Sequence, residues 1–338
     1  MNTKLVVAAL AAAVLPLAAL VSGAGADPIP IKIGNAGIPQ NLSYTMAVIP
    51  FAEAVTKASE GTLEVKPFPG QALAGQNNVI DRLRNGVIEA GTGLVGLYPQ
   101  NFPRTTVAML PYESTNAREA GIALMRIQEQ GLLGAELGEY KVLELGLYAN
   151  MSVHTKKPVT KLEDLKGQRF AVMSRTMAEV LDKLGGTPVT MPPNDFHESL
   201  LRGVVDGAGI GWPGIAPFKL NEVTAYHVQT SLTGEGQFTL MMRGTYDKLP
   251  AKGKEALDRY AGMPYAIEWA KSIQAQDDMG IEITKKANQQ IVTLAPAEEA
   301  RWKAGAQTIV DAWVKNTPDG AKVLAGYSAE IAKVRAGM

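Results

Sequence analysis

The chain contains no cysteine, which excludes disulfides, thiol nucleophiles and cysteine-ligated metal sites. Histidine is scarce as well. His154, His197 and His227 are the only three, and no two have the spacing of a helical zinc site, so neither a metal centre nor a catalytic triad is expected. No phosphate-cradling G-x-x-x-x-G-K-[ST] and no G-x-S-x-G nucleophile turn occur. Neither sign of charge is in excess: 33 basic residues face 33 acidic ones, which argues against a nucleic-acid partner. After residue 21 there is no apolar run long enough to cross a bilayer.

The first 26 residues read as an export leader. Lys4 and the amino terminus form the positive end, Leu5 to Val21 the apolar stretch, and Ala24-Gly25-Ala26 the cleavage signal, with cleavage expected after Ala26. Asp27, not a cysteine, follows the cut, so no lipid anchor is expected there. An exported, unanchored chain fits the periplasm of a Gram-negative cell. The absence of cysteine is compatible with that compartment, which permits disulfides without requiring them.

The rest alternates strand and helix signals. Ile29 to Ile33 alternates apolar and polar residues, Gly34 to Gly37 forms a loop, Tyr44 to Ser59 has helical periodicity, and Thr62 to Phe68 is a second strand. This β-α-β opening implies parallel strands. A short helix over Asn77–Asn85, a strand over Val87–Val95, a helix over Ala117–Gln130 capped by Asn116, and a strand over Lys141–Tyr148 follow. Asp164 to Pro213 repeats the pattern as β-α-β-α-β, with Arg175 at the first strand-to-helix turn and Pro192-Pro193-Asn194 in the next loop. Gly234–Arg243 reads as a strand returning to the first half. Pro264–Ala287 reads as a helix long enough to bridge two halves, and two more helices cover Pro296–Lys315 and Ala321–Arg335. The expected fold is α/β with two mixed-sheet lobes: 27–148 plus 237–276, and 149–236 plus 277–338. In such sheets small ligands bind outside the carboxyl ends of the strands.

Four segments together carry a resemblance. They are PFAEAVTKASEGTLEVKPFPGQAL from Pro50, DRLRNGVIEAG from Asp81, LEDLKGQRF from Leu162 and LGGTPVTMPPNDFHESLLRGVVDG from Leu184. In this order and spacing the chain resembles the solute receptors of TRAP transporters of the DctP type. The resemblance implies a bilobal periplasmic binding protein with a cleft and a long bridging helix. It also implies an organic acid ligand delivered to separate TRAP membrane subunits. No cofactor and no catalysis are implied, and a monomer is expected. The family usually has an arginine four residues after the DLKG glycine, pairing with the ligand carboxylate. Here that residue is Ala171, and Arg175 lies four residues further on. The departure disfavours sialic-acid-like and small C4-dicarboxylate ligands.

Each candidate site residue has a plain structural alternative. Arg175, at a helix start, can offer a guanidinium fork and free helix N–H groups to a carboxylate, or can be a solvated turn residue. Trp212, at the end of the strand bearing Ile210, can floor a pocket or shield the sheet edge. Asn194 and Asp195 can cap the following helix, although Pro193 and Asn194 match the loop that touches ligand in relatives. Asn35, Thr92 and Gly93 sit at strand-end loops of the first lobe, where the glycine can serve turn geometry alone. Arg243 can be a second anion ligand or a lobe–lobe salt bridge. His154 matches a hinge-proximal strand near the cleft, and Arg169 is expected to be structural. The expected function is capture of a monocarboxylate, aromatic or a 2-oxo acid, by closure of the lobes around Arg175. The rivals are an exported hydrolase on a bilobal scaffold, for which no nucleophile–base constellation is visible, and the receptor of an ATP-driven importer.

Overall fold

The computed structural model describes residues 27–35, 37 and 39–338, so the expected leader and Ala36 of the first loop lie outside the described residues. The chain opens with β1 (Ile29–Asn35). A π-type turn (Tyr44–Val48) then leads directly into α1 (Ile49–Ala58), and β2 (Leu63–Phe68) follows. Gly61, at φ +85°, makes the left-handed turn between α1 and β2. Next come α2 (Val79–Arg84), β3 (Ala90–Leu94) and α3 (Ala117–Glu129). Asn116 does cap α3: its side-chain oxygen accepts the Glu119 N–H at 2.9 Å.

The second half contains β4 (Tyr140–Thr155), β5 (Arg169–Val172), α4 (Arg175–Lys183), β6 (Thr187–Thr190), α5 (Phe196–Leu201) and β7 (Gly207–Gly211). Two strands follow, β8 (Tyr226–Val228) and β9 (Thr233–Met242). The chain ends with α6 (Arg243–Asp247), α7 (Ala251–Tyr260), α8 (Met263–Lys286), β10 (Gln290–Val292), α9 (Pro296–Asn316) and α10 (Gly320–Arg335).

Among the described residues ten strands join one mixed sheet in the order β2-β1-β3-β9-β4-β7-β5-β6, with β8 paired to β4 and β10 to β8. The sheet serves two lobes, because buried side chains separate into distinct cores. Ile33, Leu145, Phe238 and Trp269 belong to the first. In the second lobe Phe170, Val172, Met177 and Trp302 pack on one face of the sheet, and Ala171, Phe196, Ile210 and Trp212 on the other. Strand β4 is twice as long as its expected span. At 16 residues it runs from the first core into the second, and β9 returns beside it. The segment 149–155 is buried on both faces and so shows no alternation to read.

The 24-residue helix α8 is the third crossing element. The Trp269 indole donates to the Leu147 carbonyl at 3.0 Å in the first lobe, while Gly280 presses on Trp212 in the second. One expected boundary differs. Residues 277–338 are not confined to the second lobe, since Val323, Tyr327 and Ile331 of α10 belong to the first core and Arg126 of α3 binds Glu330 at 3.2 Å. Helix α9 carries the chain back: Trp302 lies in the second core and Val310 in the first, and the Trp313 indole donates to the Thr106 hydroxyl at 2.7 Å.

A β-carbon at Gly280 would lie 2.4 Å from the Trp212 carbonyl oxygen, a backbone atom that cannot rotate away. Alanine ordinarily favours a helix over glycine by about 1 kcal/mol. Here the clash outweighs that gain, and Gly280→Ala is expected to lose roughly 1–3 kcal/mol in urea unfolding. A neutral or stabilised variant would show that α8 is not held this closely.

Candidate functional site

Register places the strand ends. In the first lobe Leu94 at the end of β3 pairs with Gln237, and Asn35 at the end of β1 pairs with Thr92. In the second, Gly211 at the end of β7 pairs with Met151, and Val172 at the end of β5 pairs with Gly209. Both sets of carboxyl ends therefore face the junction where β4 and β9 pass between the lobes. This is the crevice an open α/β sheet offers to a small ligand.

The expected site residues distribute unevenly around it. Asn35 is buried and committed, its side-chain oxygen accepting the Gly37 N–H at 2.7 Å. Thr92 pairs its hydroxyl with that of Thr239 at 3.2 Å inside the sheet. Gly93 answers a packing need: a β-carbon there would meet the Phe238 ring at 2.4 Å. Pro193 is half-buried and Asn194 exposed in a short 3-10 turn at the end of β6. Neither Asn194 nor Asp195 caps α5 through its side chain, contrary to the simplest expectation.

Arg175 is the first residue of α4, which Ser174 caps by accepting the Met177 N–H at 3.1 Å. Its side chain is 92% exposed and pairs with Glu179 at 2.9 Å, one turn along. The guanidinium thus points to solvent and is not seated in a preformed pocket. Ala171, where the family pattern has arginine, is fully buried against the α5 side.

Four expected site residues lie elsewhere. Arg243 lies at the opposite pole of the first lobe, because β9 ends beside the start of β3 (Met241 pairs with Ala90). It donates to the Tyr140 carbonyl at 2.9 Å and approaches the Tyr246 ring, so it is neither an anion ligand of the cleft nor a lobe–lobe bridge. Trp212 does not floor the crevice. It is 7% exposed, with its ring 5.7 Å from His227 and 5.2 Å from His154 beneath the sheet. Ile210 is core, and its carbonyl serves His154. His154 is fully enclosed, with Nδ1 2.9 Å from Nδ1 of His227 and Nε2 3.1 Å from the Ile210 oxygen. Arg169 is structural as expected, binding Asp206 at 3.0 Å.

Side chains that the sequence reading did not single out complete the rim. Met173, exposed at the end of β5, and half-buried Met191 after β6 present apolar surface. Tyr148 lies half-buried on β4 at the junction, its phenol raised by burial and facing Asn41. The only sequence signal for these residues was their position at strand ends.

The described geometry, two lobes flanking strand ends, has a counterpart in sequence. The family model "Bacterial extracellular solute-binding protein, family 7" matches residues 35–316. The chain belongs to this family. A TRAP solute-binding protein from a marine metagenome, described as specific for aromatic acids and crystallised with 3-hydroxybenzoate, is 26% identical with a TM-score of 0.81, over 91% of this chain and 99% of that one. A TRAP solute-binding protein of Rhodoferax ferrireducens with copurified benzoate is 25% identical with a TM-score of 0.80, covering 90% and 98%. A solute-binding protein of Albidiferax ferrireducens is 26% identical over 75% of this chain and 76% of its own length. The chain is therefore a TRAP-type solute-binding receptor of the bilobal fold. Its family comprises extracellular or periplasmic receptors rather than enzymes.

Burial lowers both members of the histidine pair, His154 well below the usual imidazole range and His227 to about 4. A folded-state value below the unfolded one contributes stability that is present above about pH 6.5 and lost as pH falls towards 4. Urea midpoints of the parent should therefore fall across that window by the equivalent of roughly 2 kcal/mol more than those of His227→Gln, which has no proton to take up. Identical pH profiles for the two proteins would contradict the assignment.

Proposed function

We propose that this receptor captures a monocarboxylate, in the first place an aromatic one, in the crevice between its lobes and hands it to TRAP membrane subunits. The observation that carries this reading is the character of the rim. The position that would hold a buried arginine is Ala171, and Met173, Met191 and Pro193 supply apolar surface instead. One acid group can meet the free N–H groups at the start of α4, where partial positive charge gathers. The Arg175 side chain can then turn inward. Its pair with Glu179 is exposed and contributes little, so leaving it costs little. A flat apolar body suits the remainder of the rim, and a second carboxylate finds no partner among the candidate residues. The aromatic acids bound by the two solved relatives agree with this choice over a 2-oxo acid. In this reading the leader is removed after Ala26, the mature chain works as a monomer in the periplasm, and the ligand leaves unaltered.

Calorimetric titration of the mature protein with benzoate, 3-hydroxybenzoate, pyruvate and succinate tests the proposal. Saturable binding of an aromatic acid is expected, weakened by about tenfold or more in Arg175→Ala with unchanged circular dichroism, a difference of about 1.4 kcal/mol. Preference for succinate, an unaffected Arg175→Ala variant, or turnover of the bound acid would each overturn it.

A further inference from the structure

A second cavity, of about 620 Å³, adjoins the loop Gln229–Ser231 that joins β8 to β9, together with α8, the start of α9 and Trp212 after β7. None of Asn35, Leu94, Arg175 or Pro193 contributes to it. Its walls come from both lobes: Arg335 from the first, Thr230, the start of α9 and Tyr112, which packs on the second core, from the second, and Asp277 from α8.

Four side-chain oxygens in these walls are shielded from solvent and have no hydrogen-bond partner in the protein: Tyr112 OH, Asn150 Oδ1, Thr230 Oγ1 and Asp277 Oδ1. The Tyr112 hydroxyl lies towards that of Thr230 without closing a bond. A shielded polar atom without a partner is costly, and four around one cavity mark a place that something else completes. All four can accept a hydrogen bond, and one belongs to a carboxylate. The cations nearby do not neutralise it. Arg335 is held by Glu119 at 2.9 Å, and Lys303, which also lines the cavity, makes no ion pair with Asp277 within 4 Å. Asp278 beside it adds negative charge, and burial with that neighbour raises Asp277 to about 7.

We propose that this cavity is a second binding site, for a small solute bearing a primary ammonium group. An ammonium donates in three directions, accepts in none and carries the charge that Asp277 lacks. A bare metal ion fills only a small part of the space. An organic amine extends along Trp212, Ile281, Pro296 and Ala300.

Titration of the mature protein with ethanolamine and with putrescine, without any carboxylic acid present, tests this site separately from the crevice. Choline, which is cationic but has no N–H, and potassium chloride serve as controls. The expected result is saturable binding of the primary amines that weakens at least tenfold in both Asp277→Asn and Asn150→Ala and is retained in Asp278→Asn. The absence of saturable binding, equal binding by Asp277→Asn, or equally tight binding of choline or potassium would overturn the assignment.

Discussion

Two strands paired across the junction of two hydrophobic cores are the constraint from which the rest of the molecule follows. The ladder between β4 and β9 runs from Tyr140–Met242 in the first lobe to Met151–Thr233 in the second. Breaking it would expose a row of backbone donors and acceptors in an otherwise apolar interior. The lobes can therefore neither slide nor separate along it; they can only twist or bend about it. A bulge between Leu147 and Ala149 marks the junction, and bulges add local twist. Gly234 and Gly236 lie opposite, where Leu147, the Ala108 carbonyl and Val95 press too close for a side chain. The mobile part of the hinge is thus confined to a few residues by packing on either side of them.

That confinement places the crevice. Because β3 is antiparallel to β9 and β7 is antiparallel to β4, the carboxyl ends of both lobes' parallel strands meet at the hinge. The backbone thereby supplies helix starts and strand-end loops, and side chains decide what is recognised. Where the family pattern would hold a buried arginine, Ala171 leaves the sheet uncharged. Arg175 is held outside by an exposed pair with Glu179. On the reading proposed above, a guanidinium that is solvated beforehand contributes to binding only when closure removes water around it, so charge recognition would depend on lobe movement more than a preburied arginine would require.

The legible parts of this fold were those with local signals. The Asn116 cap, the proline at the start of α9 and the two β-α-β runs could all be read directly. The long β4 could not, because segments buried on both faces lose the alternation that reveals a strand. The fate of Trp212 was equally hidden. Its place after a strand end is local, but its burial depends on His154 and His227, brought together only by the pairing of β4 with β8. Arg243 was misplaced for a similar reason: the end of β9 is near the crevice or far from it according to strand direction, which composition does not encode. The return of the chain to the first lobe was hidden as well, because it happens within α9, whose Trp302 and Val310 enter different cores under one continuous helical pattern.

Polar burial on the crossing elements has its own consequence. Glu144 on β4, Glu235 on β9 and Asp277 on α8 are all raised by burial, Glu235 and Asp277 to about 7. For an acid whose folded value exceeds the unfolded one, the contribution to stability is full below the unfolded value and declines as pH rises towards the folded one. The buried histidines act with the opposite sign, contributing less as pH falls from about 6.5 towards 4. The two slopes overlap across the mildly acidic range and oppose each other there. A hinge carrying only buried acids would weaken steadily towards neutral pH, and one carrying only buried histidines would weaken towards acid. With both, the folding stability varies less with pH across that range than either set alone would allow.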